Sequence, residues 1–454
     1  MDINYWNIID AMLLIVQFFL ILIYFRREYS QIGIFPSIIL SFSAWLLATP
    51  VGLFPVAILP IGDENKIIRN FFWHYKISGL TINDFLIIFC CFCLIVTLLN
   101  KNFRLDKWFV KYSFITLLIF IVGFISAIQA PMKVDVERFF IVLRYMLILI
   151  LGSYTGYLIG IKSELEIFYR YLKLLFSISI ISIISMLLLD TSYRPPRYWT
   201  YAILQSQETQ STFLIVFALS LFGIIKGNRR IFYLTISLIP AIFGYKYSII
   251  MVSIILAFFV FQKIISKKLF YAVESLTIIF IVYSLVIIPT IFVVWFTTHI
   301  TQFDAIGTRY FQIINVIETI KNEGWKAIVF GIGWNQWYKI YYEFPYIDFG
   351  AWTIEQLENP NWKYSVQIIP YSLVRSVGIF GFIVWINLVV KIGIKLYKNL
   401  LFSLKFNPLL SLILVSIIIP TFLSFPDVLP ESMMNSSILL IGIASYRSVK
   451  QQVI

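Results

Sequence analysis

Long apolar stretches alternate with short polar ones along most of the chain. A helix that crosses the hydrocarbon core of a bilayer needs roughly 20 apolar residues. Stretches of about that length, or somewhat shorter, lie at residues 8–25, 33–49, 82–100, 108–128, 139–160, 174–189, 212–226, 231–244, 247–262, 270–296, 368–390, 407–424 and 435–446. The pattern predicts an all-α polytopic membrane protein with about 13 transmembrane helices, within a range of about 11 to 14.

One polar interval is much longer than the others and divides the chain into three parts. Residues 1–296 form the predicted N-terminal transmembrane helices, 297–367 a large external loop, and 368–454 the C-terminal transmembrane helices. Early in the loop, apolar residues follow a helical spacing typical of a helix that lies on a membrane surface. They are Phe311, Ile313, Ile314, Ile317 and Ile320. The glycine-containing stretch FGIGWNQW (330–337) and many aromatic residues follow.

Composition excludes a soluble or disordered chain. Hydrophobic residues make up 60% and charged residues 13%, whereas soluble domains are about half apolar and about a quarter charged. The net charge of +13 fits basic cytoplasmic loops better than a nucleic-acid partner. Basic residues concentrate in alternate short loops, which predicts a cytoplasmic C-terminus and an external large loop. Cys90, Cys91 and Cys93 share one apolar stretch and are interpreted as packing residues.

Cations on the predicted external side are the strongest candidates for function, since ionisable groups at membrane depth are expensive. Arg194 and Arg197 lie in YRPPRYW, where two prolines stiffen the backbone. Lys246 lies in a short hairpin and Arg309 at the start of the loop pattern. Such a set suits a polyanion with phosphate oxygens, which arginine binds bidentately. Secondary candidates are Arg138, Arg144 and Arg375.

Each of these cations also has a purely structural interpretation. Arg194 and Arg197 would extend toward lipid headgroups, and Lys246 would be solvated in its hairpin. Arg309 would cap the surface helix, while Arg144 and Arg375 would pair with carboxylates inside the bundle. The sequence alone leaves both interpretations open.

Motifs of soluble enzymes are missing from the sequence. It has no phosphate-binding glycine loop, no HExxH and no GxSxG. The acidic residues of the large loop are scattered, so no metal site and no acid–base pair is predicted. We therefore expect no metal and no cofactor, and we disfavour an ATP-driven pump.

In order and spacing, these features resemble the O-antigen polymerase and ligase superfamily of bacterial integral membrane glycosyltransferases. The matching features are Arg309 early in the loop, the G-x-G of FGIGWNQW, and Gly378-Ile379-Phe380-Gly381 in the next span. Arg194 to Thr212 is similar to an upstream R-x-x-R-like loop, and Lys246 to a basic hairpin residue. The resemblance covers roughly residues 120–400.

Gln367 marks a departure from the ligase branch of that superfamily. Ligases usually carry a His-Asn pair about eleven residues before the G-x-x-G, and this sequence has Gln367 and Ile368 there. Glutamine cannot act as a base, so the polymerase branch is favoured.

The resemblance implies a multi-pass protein of the bacterial inner membrane with a periplasmic large loop. A polymerase of this type transfers a glycan from an undecaprenyl-diphosphate carrier to the next lipid-linked repeat unit, for O-antigen, capsule or exopolysaccharide. Arg309 is the expected catalytic residue, and Arg194, Arg197 and Lys246 would help it bind diphosphate. Expected partners are the undecaprenyl-diphosphate-linked oligosaccharide, membrane lipid and a chain-length regulator.

Three alternatives stay open at this point. One is ligation of the glycan onto lipid A core, as in lipopolysaccharide assembly, or O-linked ligation onto protein. Another is a flippase or transporter of lipid-linked oligosaccharide, although the two related halves expected of many transporters are not visible. The third is a membrane scaffold. The general base is also unassigned, with Asp304, Glu318 and Glu323 as weak candidates.

Overall fold

The computed structural model describes most of the predicted helices. The described residues are 5–48, 76–77, 80–99, 105–129, 136–162, 166–188, 207–227, 229–238, 246–261, 279, 304–334, 336–342, 361–363, 369–403, 407–423 and 430–446. Within these ranges the chain is overwhelmingly helical, so the all-α class is confirmed.

The N-terminal part consists of nine helices in its described ranges. They are α1 (Tyr5–Ile32), α2 (Ile34–Leu47), α3 (Ile82–Leu99), α4 (Lys107–Gln129), α5 (Val136–Lys162), α6 (Glu166–Leu188), α7 (Gln207–Leu221), α8 (Arg229–Ser237) and α9 (Lys246–Phe261). Gly33, with a φ of 88°, separates α1 from α2. Two short strands before α3, β1 (Lys76–Ile77) and β2 (Leu80–Thr81), pair antiparallel with Lys76 opposite Thr81.

Where it is described, the predicted loop region contains two helices and one further strand pair. The helices are α10 (Asp304–Asn322) and α11 (Trp325–Phe330). Strands β3 (Tyr338–Lys339) and β4 (Trp362–Lys363) pair antiparallel with Tyr338 opposite Lys363. The C-terminal part contains α12 (Ile369–Ser403), α13 (Pro408–Leu423) and α14 (Pro430–Ser445).

Five helical segments in the described residues are long and apolar enough to cross a membrane. They are Ile82–Leu99, Lys107–Gln129, Val142–Ile161, Glu166–Ile184 and Tyr371–Leu401. Only 22% and 33% of the first two are buried although they are apolar, as in lipid-facing helices, while 61% of each of the next two is buried. This supports a membrane protein, and the figure of about 13 spans stays a prediction.

The tightest helix packing joins α5 to α14 through glycines. Gly152, Gly156 and Gly160 lie one turn apart on α5 and face the backbone of α14. A methyl group at Gly156 would lie 2.6 Å from the Ile438 carbonyl oxygen and 2.9 Å from the Gly442 nitrogen. Small residues at such spacing let helices in lipid approach closely and pack by van der Waals contact.

Buried polar side chains tie the same region together. The Tyr171 hydroxyl donates to Ser43 Oγ at 2.6 Å, and both hydroxyls contact the Asn435 side-chain oxygen. The Asn399 amide donates to the carbonyl oxygens of Ile443 and Ala444 at 2.8 and 3.0 Å, near the end of α14. Helices α2, α6, α12 and α14 are therefore held in register by hydrogen bonds as well as by packing.

Candidate functional site

Helix α12 is broken at Gly378, the first glycine of the G-x-x-G sequence. Gly378 has φ 68° and ψ −176°, a backbone conformation that is essentially restricted to glycine. The Arg375 carbonyl, which in an uninterrupted helix would accept from the amide four residues later, accepts instead from the Ile332 amide at 2.7 Å. The break in α12 thus provides a backbone acceptor for the G-x-G stretch.

The G-x-G stretch lies with its backbone directly against two helices. Gly331 has a φ of 78°, and a methyl group there would lie 2.5–2.6 Å from backbone atoms of Arg375, Ser376 and Val377. Gly333, with a φ of 104°, meets the backbone of Ala127 on α4 in the same way. Only glycine satisfies both the positive φ and the close approach at these positions.

Trp334 anchors the end of this stretch on α4. Its backbone amide donates to the Gly123 carbonyl at 3.1 Å, and its indole Nε1 donates to the Phe120 carbonyl at 3.0 Å. On the other side of the stretch, Ser126 Oγ donates to the Phe330 carbonyl at 3.0 Å. We call residues 330–334, with their partners on α4 and α12, the glycine junction.

Helix α10 lies beside the junction and packs on the first turns of α12. Ile313, Val316 and Ile320 are buried there, in apolar clusters that include Tyr371 and Val374. The predicted helix is confirmed, but its predicted apolar face is only partly right. Ile317 is 45% exposed, while the polar residues Gln312, Asn315 and Thr319 are buried.

Asn315 and Thr319 were missed by the sequence analysis, and they hold the segment that follows the junction. The Asn315 side-chain oxygen accepts from the amides of Tyr341 and Tyr342 at 2.7 and 2.8 Å. Thr319 Oγ1 accepts from the Lys339 amide at 3.0 Å. The available signal was two polar residues four positions apart within an otherwise apolar helix face.

Arg375 is buried at the base of this assembly, with 1% of its surface exposed. Its charge acts on Tyr338, also fully buried. Burial raises the pKa of the Tyr338 hydroxyl well above its ordinary value, and the Arg375 charge partly opposes this rise. A buried guanidinium in a membrane protein is a candidate for function. The structure places this secondary candidate next to the G-x-G stretch, since the Ile332 amide donates to the Arg375 carbonyl.

Arg309 is half-buried on α10, one and two turns before Ile313 and Val316 and on the same side of the helix. Among the described side chains, no carboxylate lies within salt-bridge distance of its guanidinium. A half-buried guanidinium on this helix is a candidate for binding an anion.

Arg144 is engaged in a structural contact. Its Nε and Nη2 atoms donate to the two Asp84 carboxylate oxygens at 2.7 and 2.9 Å. The Thr81 amide and hydroxyl also donate to that carboxylate, at 2.8 and 2.7 Å. For this cation, the structure favours the ion-pair interpretation over diphosphate binding.

Several predicted site residues cannot be located relative to the junction. Arg194, Arg197 and Gln367 lie outside the described residues. Arg138 lies in α5 and Lys246 begins α9, but their side chains are not described. Of the weak candidates for the general base, Glu318 lies 3.5 Å from Lys321 and Glu323 is exposed.

The described residues include no group of three or more His, Cys, Asp or Glu side chains placed to hold a metal ion. Comparisons with protein-family models, curated proteins and solved structures give no match. A metal-free site and the resemblance to O-antigen polymerases both stay predictions from the sequence.

Proposed function

We propose that this protein is an integral membrane glycosyltransferase of the O-antigen polymerase type. The observation that carries the proposal is the glycine junction. It brings three features that support the resemblance into one assembly, although they are spread over some seventy residues of sequence. These are the helix that carries Arg309, the G-x-G stretch, and the G-x-x-G of α12.

The proposed reaction is displacement at the anomeric carbon of a lipid-linked glycan. A hydroxyl of the next lipid-linked repeat unit forms the new glycosidic bond, and the bond to the carrier diphosphate breaks. The hydroxyl proton passes to a general base, and undecaprenyl diphosphate leaves. Negative charge grows on the diphosphate, so a preformed cation site would lower the barrier.

Arg309 is the residue proposed to supply that cation. It is half-buried and has no carboxylate partner in the described part of the chain, in contrast to Arg144. An arginine fork binds two phosphate oxygens at once. Arg194, Arg197 and Lys246 would add positive charge around the same diphosphate, or around that of the acceptor.

Arg375 is proposed as a positioning residue. Its carbonyl fixes the G-x-G stretch through Ile332, and the charge of its buried side chain acts on Tyr338, in the segment that Asn315 and Thr319 also hold. A site built on such a support holds its cation within a narrow range of positions, as transition-state stabilisation requires.

The test is a transfer assay with purified protein and lipid-linked repeat units from the host, in EDTA and without nucleotide. We expect wild type to give a ladder of lengthened glycans, and Arg309→Ala to lower the rate by about 100-fold or more. Lys321→Ala is the matched control, because Lys321 is an exposed cation on the same helix, and within the described residues it pairs with Glu318.

Other outcomes would identify the alternatives. A single transfer onto lipid A core would indicate a ligase. Movement of the lipid-linked unit across proteoliposomes without transfer would indicate a flippase. An Arg309→Ala protein that is folded and fully active would exclude Arg309 from the reaction.

A further inference from the structure

We propose that α11 is an interfacial helix, inserted into the bilayer at the boundary between headgroups and acyl chains. Its partner is bilayer phospholipid. The proposal concerns where this helix lies and does not depend on the reaction proposed above. The sequence predicts a membrane-surface helix at α10, but α10 buries its apolar side against α12.

The outer side of α11 is strongly apolar. Trp325 is 66% exposed, and Ile328 and Phe330 are about two-fifths exposed, whereas Ala327 is buried. Three large exposed side chains in a six-residue helix are difficult to reconcile with contact with water alone. Tryptophan is enriched at membrane interfaces, and the exposed neighbour Lys326 suits a phosphate headgroup.

This apolar surface continues onto two membrane-spanning helices. The Phe330 ring meets the Phe380 ring edge to face, with centroids 6.4 Å apart. Ile379, Phe380 and Ile383 are exposed on α12, within the apolar span Tyr371–Leu401. On α4, Ile125 and Ile128 are exposed beside the residues that hold the junction. A bilayer that covers these spans therefore also reaches α11.

Contacts with α4 place α11 near the membrane boundary. Helix α4 has 23 residues, which rise about 34 Å, so its ends lie near the two surfaces of a hydrocarbon core of roughly 30 Å. The Phe330 carbonyl at the end of α11 accepts from Ser126, and Gly333 contacts Ala127, within the last turn of a helix that ends at Gln129. Helix α11 therefore ends at the level where α4 leaves the core.

Spin labelling in proteoliposomes tests this placement. The background is cysteine-free (Cys90→Ala, Cys91→Ala and Cys93→Ala), and Ile328→Cys carries the nitroxide. Accessibility to oxygen and to a water-soluble nickel chelate gives its depth in phosphatidylethanolamine and phosphatidylglycerol vesicles. Ile383→Cys is the lipid control. Lys321→Cys is the aqueous control, because the Lys321 side chain on α10 is exposed.

We expect the label at 328 to lie about 5–10 Å below the lipid phosphates, deeper than at 321 and shallower than at 383. Nickel accessibility at 328 equal to that at 321 would overturn the proposal. So would a label shielded from both reagents, which would indicate that protein covers α11.

A second measurement applies if the cysteine-free protein does not fold. Benzoylphenylalanine at position 328 in the otherwise native chain would be photolysed in the same vesicles. A phospholipid adduct found by mass spectrometry supports the interfacial helix. Adducts to water or protein only would overturn it.

Discussion

The glycine junction makes a quantitative prediction, because two glycines flank α11 in nearly the same backbone conformation. Gly324 has φ 88° and ψ −173°, and Gly331 has φ 78° and ψ 178°. Nothing lies within 4 Å of a methyl group added at Gly324, whereas at Gly331 it would lie 2.5–2.6 Å from the α12 backbone. Alanine substitutions at the two positions therefore cause the same backbone strain, but only the one at Gly331 brings its methyl group against the α12 backbone.

The magnitude follows from that difference. In either variant, forcing alanine into this conformation costs about 1–3 kcal/mol. Gly331→Ala adds an overlap worth about 1–3 kcal/mol and weakens the Ile332–Arg375 hydrogen bond, worth about 1 kcal/mol. We expect Gly331→Ala to destabilise the junction by about 2–4 kcal/mol more than Gly324→Ala. This difference raises the open population, which is the fraction of molecules in which α11 is detached and unfolded, by a factor of about 30 to 1,000.

Tryptic cleavage after Lys326 reports this population, because the bond lies within α11 and is cut only when the helix opens. Cleavage rates of the detergent-purified variants would be divided by those of the unfolded proteins, which removes changes in intrinsic susceptibility. We expect the corrected rate to be at least about 30-fold higher in Gly331→Ala than in Gly324→Ala. Equal rates would refute the argument from close approach.

Three further predictions concern the surrounding scaffold. Asp84→Asn breaks the pair with Arg144 and should lower the free energy of unfolding by about 1–3 kcal/mol, reduced from the value for fully buried pairs because both side chains are partly exposed. Asn315→Ala removes the hydrogen-bond acceptor of two backbone amides and should lower the free energy of opening in residues 336–342 by about 2–4 kcal/mol. Faster hydrogen exchange in these residues would measure that change. Gly156→Val meets the Ile438 carbonyl and should destabilise the bundle by at least about 1–3 kcal/mol, measured by SDS titration in mixed micelles.

Each of these predictions has its own control. For Asp84→Asn, adding Arg144→Met should recover part of the loss, and a strictly additive double variant would contradict a direct interaction. For Asn315→Ala, the control is Asn322→Ala at the exposed end of α10. For Gly156→Val, it is Ser253→Val, which places the same side chain at an exposed position within α9. Equal effects of variant and control would contradict the assigned contacts.

The helices were predictable wherever an apolar run ends in clearly polar residues. The predicted stretches 82–100 and 108–128 match α3 and α4 within a residue of each end. The predicted end at residue 390 was wrong, because α12 continues to Ser403. Hydropathy marks where a helix leaves the apolar region and not where it ends. Lys395 in this extension lies 3.7 Å from the Trp108 ring centroid, a contact that stabilises the polar turns.

The candidate site was predictable in its parts but not in its assembly. The sequence pattern singled out Gly331 and Gly333, and the family resemblance singled out Gly378; glycine tolerates conformations that other residues avoid. Gly331 packs against the backbone just before Gly378, and Gly378 packs against the backbone just before Gly331. This arrangement depends on the break in α12 and on the position of α4, and no local sequence pattern encodes either of them. Arg144 was a candidate for the site, but the structure pairs it with Asp84. The sequence could not identify this partner, because it lies 60 residues away along the chain.

The glycine face of α5 has a consequence for the order in which the protein is made. Its partner helix α14 is synthesised much later, and Tyr171 on the neighbouring α6 precedes its partner Asn435 by 264 residues. At about 5–20 residues per second, the earlier helices wait on the order of 10 to 50 s in the membrane before α14 arrives. During that interval their close-packing face and buried hydroxyls need a temporary cover from lipid or the insertion machinery. A ribosome that stops before Pro430 therefore releases a chain in which the glycine face of α5 lacks the helix that covers it.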